Sequence, residues 1–124
     1  NFLSALLFYL VIKPISLSPF WVLYGLSDFL YLIIYKILGY RTSVVKTNLI
    51  NSFPDKSPEE IKTIQNKFYH HFFDLIIESI KLFSISKKEV LKRFKFTNPE
   101  ITYPFYERGQ NLIVVAGHYG NWEF

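Results

Sequence analysis

Hydrophobic positions along this chain form two dense apolar runs, followed by a stripe of helical period. Residues 2–12 are apolar except Ser4, and Lys13-Pro14 interrupts them. A second run, 20–35, is broken by Gly25, Ser27 and Asp28 and closes at Lys36. Neither run reaches the ~20 uninterrupted apolar residues that cross a bilayer. Asp28 would cost about 2.5–3.5 kcal/mol at a bilayer centre on insertion scales. The pattern leaves several arrangements open. Residues 2–12 could be the apolar part of a signal peptide, although neither a basic start nor a small-residue cleavage site is visible. Residues 17–38 could be one interrupted transmembrane helix with Asp28 facing protein or water. Both runs could form a helical hairpin lying in the membrane interface, with Tyr and Trp at headgroup depth. Membrane association is the favoured reading, with spanning and lying both open; the alternative is buried core helices of a soluble domain.

Further along, residues 44–52 read as a short helix that ends at Phe53-Pro54. Ser57-Pro58-Glu59-Glu60 is a strong helix start, with Ser57 as N-cap, Pro58 in the first turn and Glu60 closing a capping box. Ile61, Ile64, Phe68, Phe72, Leu75, Ile76, Ser79 and Leu82 then recur with helical period and predict one amphipathic helix over about 58–83. Ser86-Lys87-Lys88-Glu89 is a second capping box and opens a helix ending near Arg93. Residues 94–97 alternate like a short strand. Asn98-Pro99-Glu100 starts another helical piece, which Pro104 limits and Gly109 ends. Residues 112–116, Leu-Ile-Val-Val-Ala, have the length and β-branched content of a buried strand.

Composition narrows the picture. Half of the 124 residues are hydrophobic, with 13 Phe and 9 Tyr, which suits burial in a core or in lipid. The absence of Cys excludes disulfides and thiolate-based zinc sites. The net charge of +4 admits nucleic acid, anionic lipid or an acidic protein as partner. Nucleic acid fits worst, because the basic residues are dispersed and the aromatics lie in apolar runs. Lys36, Arg41 and Lys46 cluster just after the second apolar run. If that run is seated in a membrane, the positive-inside rule puts everything after it in the cytoplasm.

Two groups of residues carry candidate chemistry. His70, Asp74 and Glu78 share one helix face at i, i+4 spacing. Carboxylate-bridged metals need ligands from several helices, and no second set is present, so no metal is expected and His70 and His71 read as a polar face. Glu78 lies inside an apolar stretch and needs a partner there. The second group is Gly117-His118-Tyr119-Gly120-Asn121-Trp122-Glu123. On a continuous helix, His118 and Glu123 would point roughly 140° apart. A bend permitted by Gly117 and Gly120 would let them converge. The carboxylate would then fix the imidazole tautomer and leave the other nitrogen to accept a proton.

The block His118-Tyr119-Gly120-Asn121-Trp122-Glu123 resembles the His-x4-Asp/Glu motif of lipid A biosynthesis acyltransferases of the late lauroyl/myristoyl type. Asn48-Leu49-Ile50-Asn51-Ser52-Phe53-Pro54, preceded by Arg41 and Lys46, is similar to the basic stretch plus Asn-Leu-x3-Phe-Pro of the same family. The Ser-Pro-Glu-Glu helix start and a long helix carrying Glu78 follow in family order.

This resemblance implies an α/β fold of the lysophospholipid-acyltransferase type, of which the chain would be an N-terminal fragment. Residues 1–40 would be the membrane-associated helical segment. Residues 41–124 would be the helix-rich beginning of the acyltransferase domain with its first strands. The implied reaction moves a fatty acyl chain from an acyl thioester on acyl carrier protein to a hydroxyl of a membrane glycolipid, without a cofactor. It would take place on the cytoplasmic face of the inner membrane, next to anionic lipid. His118 and Glu123 would be catalytic, and Gly120, Asn121, Glu78 and Arg41 would serve substrate binding. Another lipid acceptor, or a non-catalytic membrane-associated helical module, is the alternative.

Overall fold

The computed structural model describes every residue except Phe96, Ala116, His118, Tyr119 and 122–124. The chain divides into two compact units, Asn1–Ser84 and Ile85–Phe124.

In the first unit, helix α1 covers Phe2–Leu17. It runs through Lys13-Pro14 instead of stopping there. The preceding stretch, Phe8–Ile12, is a π-helix, and the Lys13 N–H reaches back to the Phe8 carbonyl. A proline ring clashes with the carbonyl four residues before it and lacks an N–H. A wider turn just upstream accommodates both defects. Ser18 and Pro19 are extended and break the helix. Helix α2 follows over Phe20–Ile37, the one helix among the described residues that is long and apolar enough to cross a membrane. It too ends in a π-helical stretch, Tyr31–Ile37. Gly39, at φ 63°, turns the chain, and the Tyr40 N–H returns to the Ile34 carbonyl. Helix α3 is Thr42–Ser52. Helix α4, Pro58–Lys81, opens with both halves of the predicted capping box.

Helices α2 and α4 run antiparallel, because residues advancing along α2 meet residues receding along α4: Tyr24 with Glu78, Ser27 with Asp74, Tyr35 with Asn66. The core between them holds Leu23, Tyr35, Ile61, Tyr69, Phe73 and Ile77. Tyr35 and Tyr69 stack with ring centroids 4.1 Å apart. This buried stripe is turned by one position, about 100°, from the one the apolar pattern suggests. Phe68, Phe72 and Ile76 are exposed, while Gln65 and Tyr69 are buried. The polar tips of Gln65 and Tyr69 find backbone carbonyls on the neighbouring turn, so their bodies bury without stranding a donor.

The second unit contains α5 over Lys87–Arg93, a 3-10 turn over Pro99–Thr102 and α6 over Tyr103–Glu107. The Ser86 side chain caps α5 by accepting from the Glu89 N–H, and Gly109 ends the segment after α6 at φ 62°. The expected α/β fold is corrected here. No strand occurs among the described residues, which are helical or irregular. Leu112, Ile113, Val114 and Val115 have no regular structure, and Ile113 is 92% exposed. Phe94 and Lys95 are also irregular. The β-branched composition is that of a strand, but a strand exists only as part of a ladder. With every other described segment committed to helix or turn, its N–H and C=O groups have no edge to pair with.

Candidate functional site

The α2–α4 seam carries a row of polar contacts. The Tyr24 hydroxyl donates to Glu78 Oε1 at 2.7 Å, and Ser27 Oγ donates to Asp74 Oδ1 at 2.7 Å. His70 lies between two carboxylates, with Nε2 2.9 Å from Asp28 Oδ1 and Nδ1 3.5 Å from Asp74 Oδ2. The Tyr35 hydroxyl and Lys36 Nζ both donate to Asn66 Oδ1. At the far end of α4, Lys81 Nζ donates to the Ser16 and Ser18 carbonyls at 2.8 and 3.0 Å. Ser84 Oγ also donates to the Ser16 carbonyl. On α2 the participants fall at 24, 27, 28, 35 and 36; on α4 they fall at 66, 70, 74 and 78, the i, i+4 spacing of one face. The polar breaks in the second apolar run are thus partners for α4. Sequence reading singled out His70, Asp74 and Glu78 and missed Asn66 and the α2 half of the row; the 3–4-residue spacing of Tyr24, Ser27 and Asp28 was the available signal for the latter. Asp28 and the His70 side chain are more than half exposed, so their pair fixes register more than it adds stability, about 0–1 kcal/mol.

Glu78 therefore has the partner its surroundings demanded. Among the described residues, no group of three His, Asp or Glu side chains is arranged to hold a metal.

Arg41 occupies a second place of interest. It precedes α3 with φ 52° and ψ 23°, the left-handed region, and is the one described non-glycine residue there. That conformation costs an L-residue about 1–2 kcal/mol. Buried α4 side chains clamp the backbone on both sides of it. The Tyr69 hydroxyl donates to the Tyr40 carbonyl at 2.6 Å, and Gln65 Nε2 donates to the Thr42 carbonyl at 2.9 Å. Burial, with Tyr35 alongside, raises the Tyr69 phenol above its ordinary pKa, against a smaller opposing pull from Arg41. Arg41 borders an open groove of about 270 Å³ between α3 and α4, lined also by Val44, Val45, Asn48, Phe68 and Phe72. Lys46 faces a second depression with Lys62 and Glu59. Lys36 is already engaged, bonded to Asn66 and 4.7 Å above the Tyr35 ring.

The C-terminal motif is described in part. Gly120 has φ 63°, and no atom lies within 4 Å of where a Cβ would sit. Glycine is demanded there by backbone conformation and not by space. Gly117 has neither a positive φ nor a close neighbour. Asn121 is half-buried. His118 and Glu123, with Tyr119 and Trp122, lie outside the described residues.

The family model described as bacterial lipid A biosynthesis acyltransferase matches residues 2–124, from the first apolar run through the His118 block. Neither the curated proteins nor the solved structures contain a match to the chain.

Proposed function

The chain belongs to the bacterial lipid A biosynthesis acyltransferase family, and from that premise we propose a specific reaction for it. It moves a fatty acyl chain from a thioester on acyl carrier protein to a hydroxyl of a lipid A precursor, at the cytoplasmic face of the inner membrane. The observation that carries this reading is the family match across residues 2–124, which includes the His118-to-Glu123 block.

In this reading His118 takes the proton of the acceptor hydroxyl as its oxygen attacks the thioester carbon. Glu123 holds the imidazole tautomer and stabilises the imidazolium that forms. Backbone N–H groups between Gly117 and Gly120 donate to the tetrahedral oxyanion. When the intermediate collapses, the C–S bond breaks, the ester remains on the acceptor, and the imidazolium returns its proton to the departing thiolate. Asn121 orients the acceptor, and Glu78, bonded to Tyr24, serves substrate binding. Lys46 and Arg41 meet lipid phosphates.

The N-terminal helices supply the membrane seat. Phe2, Leu3, Leu10, Trp21, Phe29 and Leu32 are exposed apolar residues on α1 and α2. Tyr24, Ser27, Asp28 and Tyr35 tie α2 to α4, a helix carrying Glu59, Lys62 and Lys67 that belongs in water. That pairing favours helices lying along the interface over a lone spanning helix. The acceptor cannot leave the bilayer cheaply, so a base held at the surface meets it there.

The decisive experiment is His118→Ala in the protein, assayed with acyl carrier protein thioester and lipid A precursor. Transfer falls by about 10²–10⁴-fold if His118 is the base. Undiminished transfer overturns the assignment. Mass spectrometry of lipid A from a deletion strain tests the acceptor: one secondary acyl chain should be missing, and an unchanged lipid A points to a different lipid.

A further inference from the structure

The groove between α3 and α4 combines an apolar wall with a cation held in place at its border. Its walls are apolar: Val44 and Val45 from α3, Phe68 and Phe72 from α4. Phe68 and Phe72 are the residues that a core-facing stripe would have buried, yet they stand 43% and 37% exposed. At its border is Arg41, which has no carboxylate partner among the described residues. A strained backbone puts it there, and the strain is held by two buried hydrogen bonds, from Tyr69 and Gln65, that bracket the residue. Two of the core's polar side chains are thereby committed to the conformation of one exposed cation. Strain held this firmly points to a function for the residue it positions.

We propose that this groove binds an anionic phospholipid of the surrounding bilayer. One acyl chain lies against Val44, Val45, Phe68 and Phe72, and the phosphate rests on Arg41. An apolar wall ending in one unpaired guanidinium complements a molecule with a hydrocarbon tail and a phosphate head. Guanidinium matches phosphate with paired N–H donors. Exposed apolar residues of α1 and α2 in the same unit place the groove within reach of bilayer lipid. The proposal rests on the membrane seating argued above and is independent of any role for His118.

The test measures lipid retained by the purified protein in neutral detergent, using native mass spectrometry with phosphatidylglycerol or phosphatidylcholine added. The wild type should retain phosphatidylglycerol in preference to phosphatidylcholine. Arg41→Gly should weaken phosphatidylglycerol retention by roughly tenfold or more, as expected for loss of a charge-assisted contact. Its thermal midpoint should not fall, because glycine accepts φ 52° without strain. Val44→Trp, which fills the groove from an exposed helix position, should reduce retention of both lipids. Wild-type phosphatidylglycerol retention in both variants overturns the proposal. His118→Ala should lose acyl transfer and keep full retention, which separates the two claims. If His118→Ala loses retention as well, the phospholipid is held by the catalytic site and not by the groove, and the proposal is refuted.

Discussion

The Tyr24 hydroxyl donates a 2.7 Å hydrogen bond to the Glu78 carboxylate across the α2–α4 seam. The two residues are 54 positions apart, one in an apolar run and the other in an amphipathic helix, and each explains the other. A carboxylate among Leu75, Ile76, Ile77 and Ile80 needs a donor. A tyrosine hydroxyl in an apolar helix needs an acceptor on the side that packs against protein.

Tyr24→Phe should therefore destabilise the first unit by about 1–2 kcal/mol, the loss expected when one donor to a partly buried carboxylate is removed. Chemical unfolding in a fixed detergent measures it. A change within about 0.3 kcal/mol would mean that the bond has no net worth.

Tyr69 offers a prediction at alkaline pH. Its phenol is raised from 10.0, chiefly by burial. In the unfolded chain it ionises at the ordinary value, while the folded chain still holds the proton. The stabilising contribution is thus complete below about pH 10 and is lost as pH rises through the raised folded value. Tyr69→Phe should flatten the alkaline limb of a stability-versus-pH curve. At neutral pH it should cost about 1–2 kcal/mol, because the Tyr40 carbonyl loses its donor. An alkaline limb unchanged in the variant would show that other groups govern it.

The start of α4 makes a prediction at acid pH. The Glu60 carboxyl lies below its usual range, first because the Ser57 N–H donates to it and then because Lys56 does. Its contribution is present above the unfolded carboxyl value and is lost as pH falls through the depressed folded one. In a carbon-detected NMR titration, Glu60 should titrate below the ordinary glutamate value. Ser57→Ala removes the reciprocal half of the box, the bond from the Glu60 N–H to Ser57 Oγ. That change should cost about 1 kcal/mol and loosen the turn that presents the Ser57 N–H, so the Glu60 titration should move up. No movement would mean that the two halves of the box act independently.

Features written in local chemistry were readable from the chain alone. Ser57, Pro58 and Glu60 specify where α4 starts because cap, proline and carboxylate act within one turn. Gly109, read as the end of the last helical piece, carries positive φ there. The His118-to-Glu123 block, with the Asn48-to-Pro54 stretch, was enough to indicate the family that the match over residues 2–124 shows. Proline at position 14 looked like a stop and was not, since a π-helical stretch absorbed it.

Tertiary structure decided what depends on distant partners. Hydrophobicity along α4 favoured Phe68 and Phe72 for the core, but packing chose Tyr69 and Phe73, on a stripe where the polar tips of Tyr69 and Gln65 donate to the Tyr40 and Thr42 carbonyls. Arg41 entered the left-handed region because Tyr69 and Gln65 hold the carbonyls on either side of it, a cause lying 24 to 28 residues away. Residues 112–115 kept a strand's composition without becoming one among the described residues. Caps and turns answer to their own neighbours and so can be read from the chain, whereas a helix face, a strained cation and a sheet each need a partner that no local pattern can name.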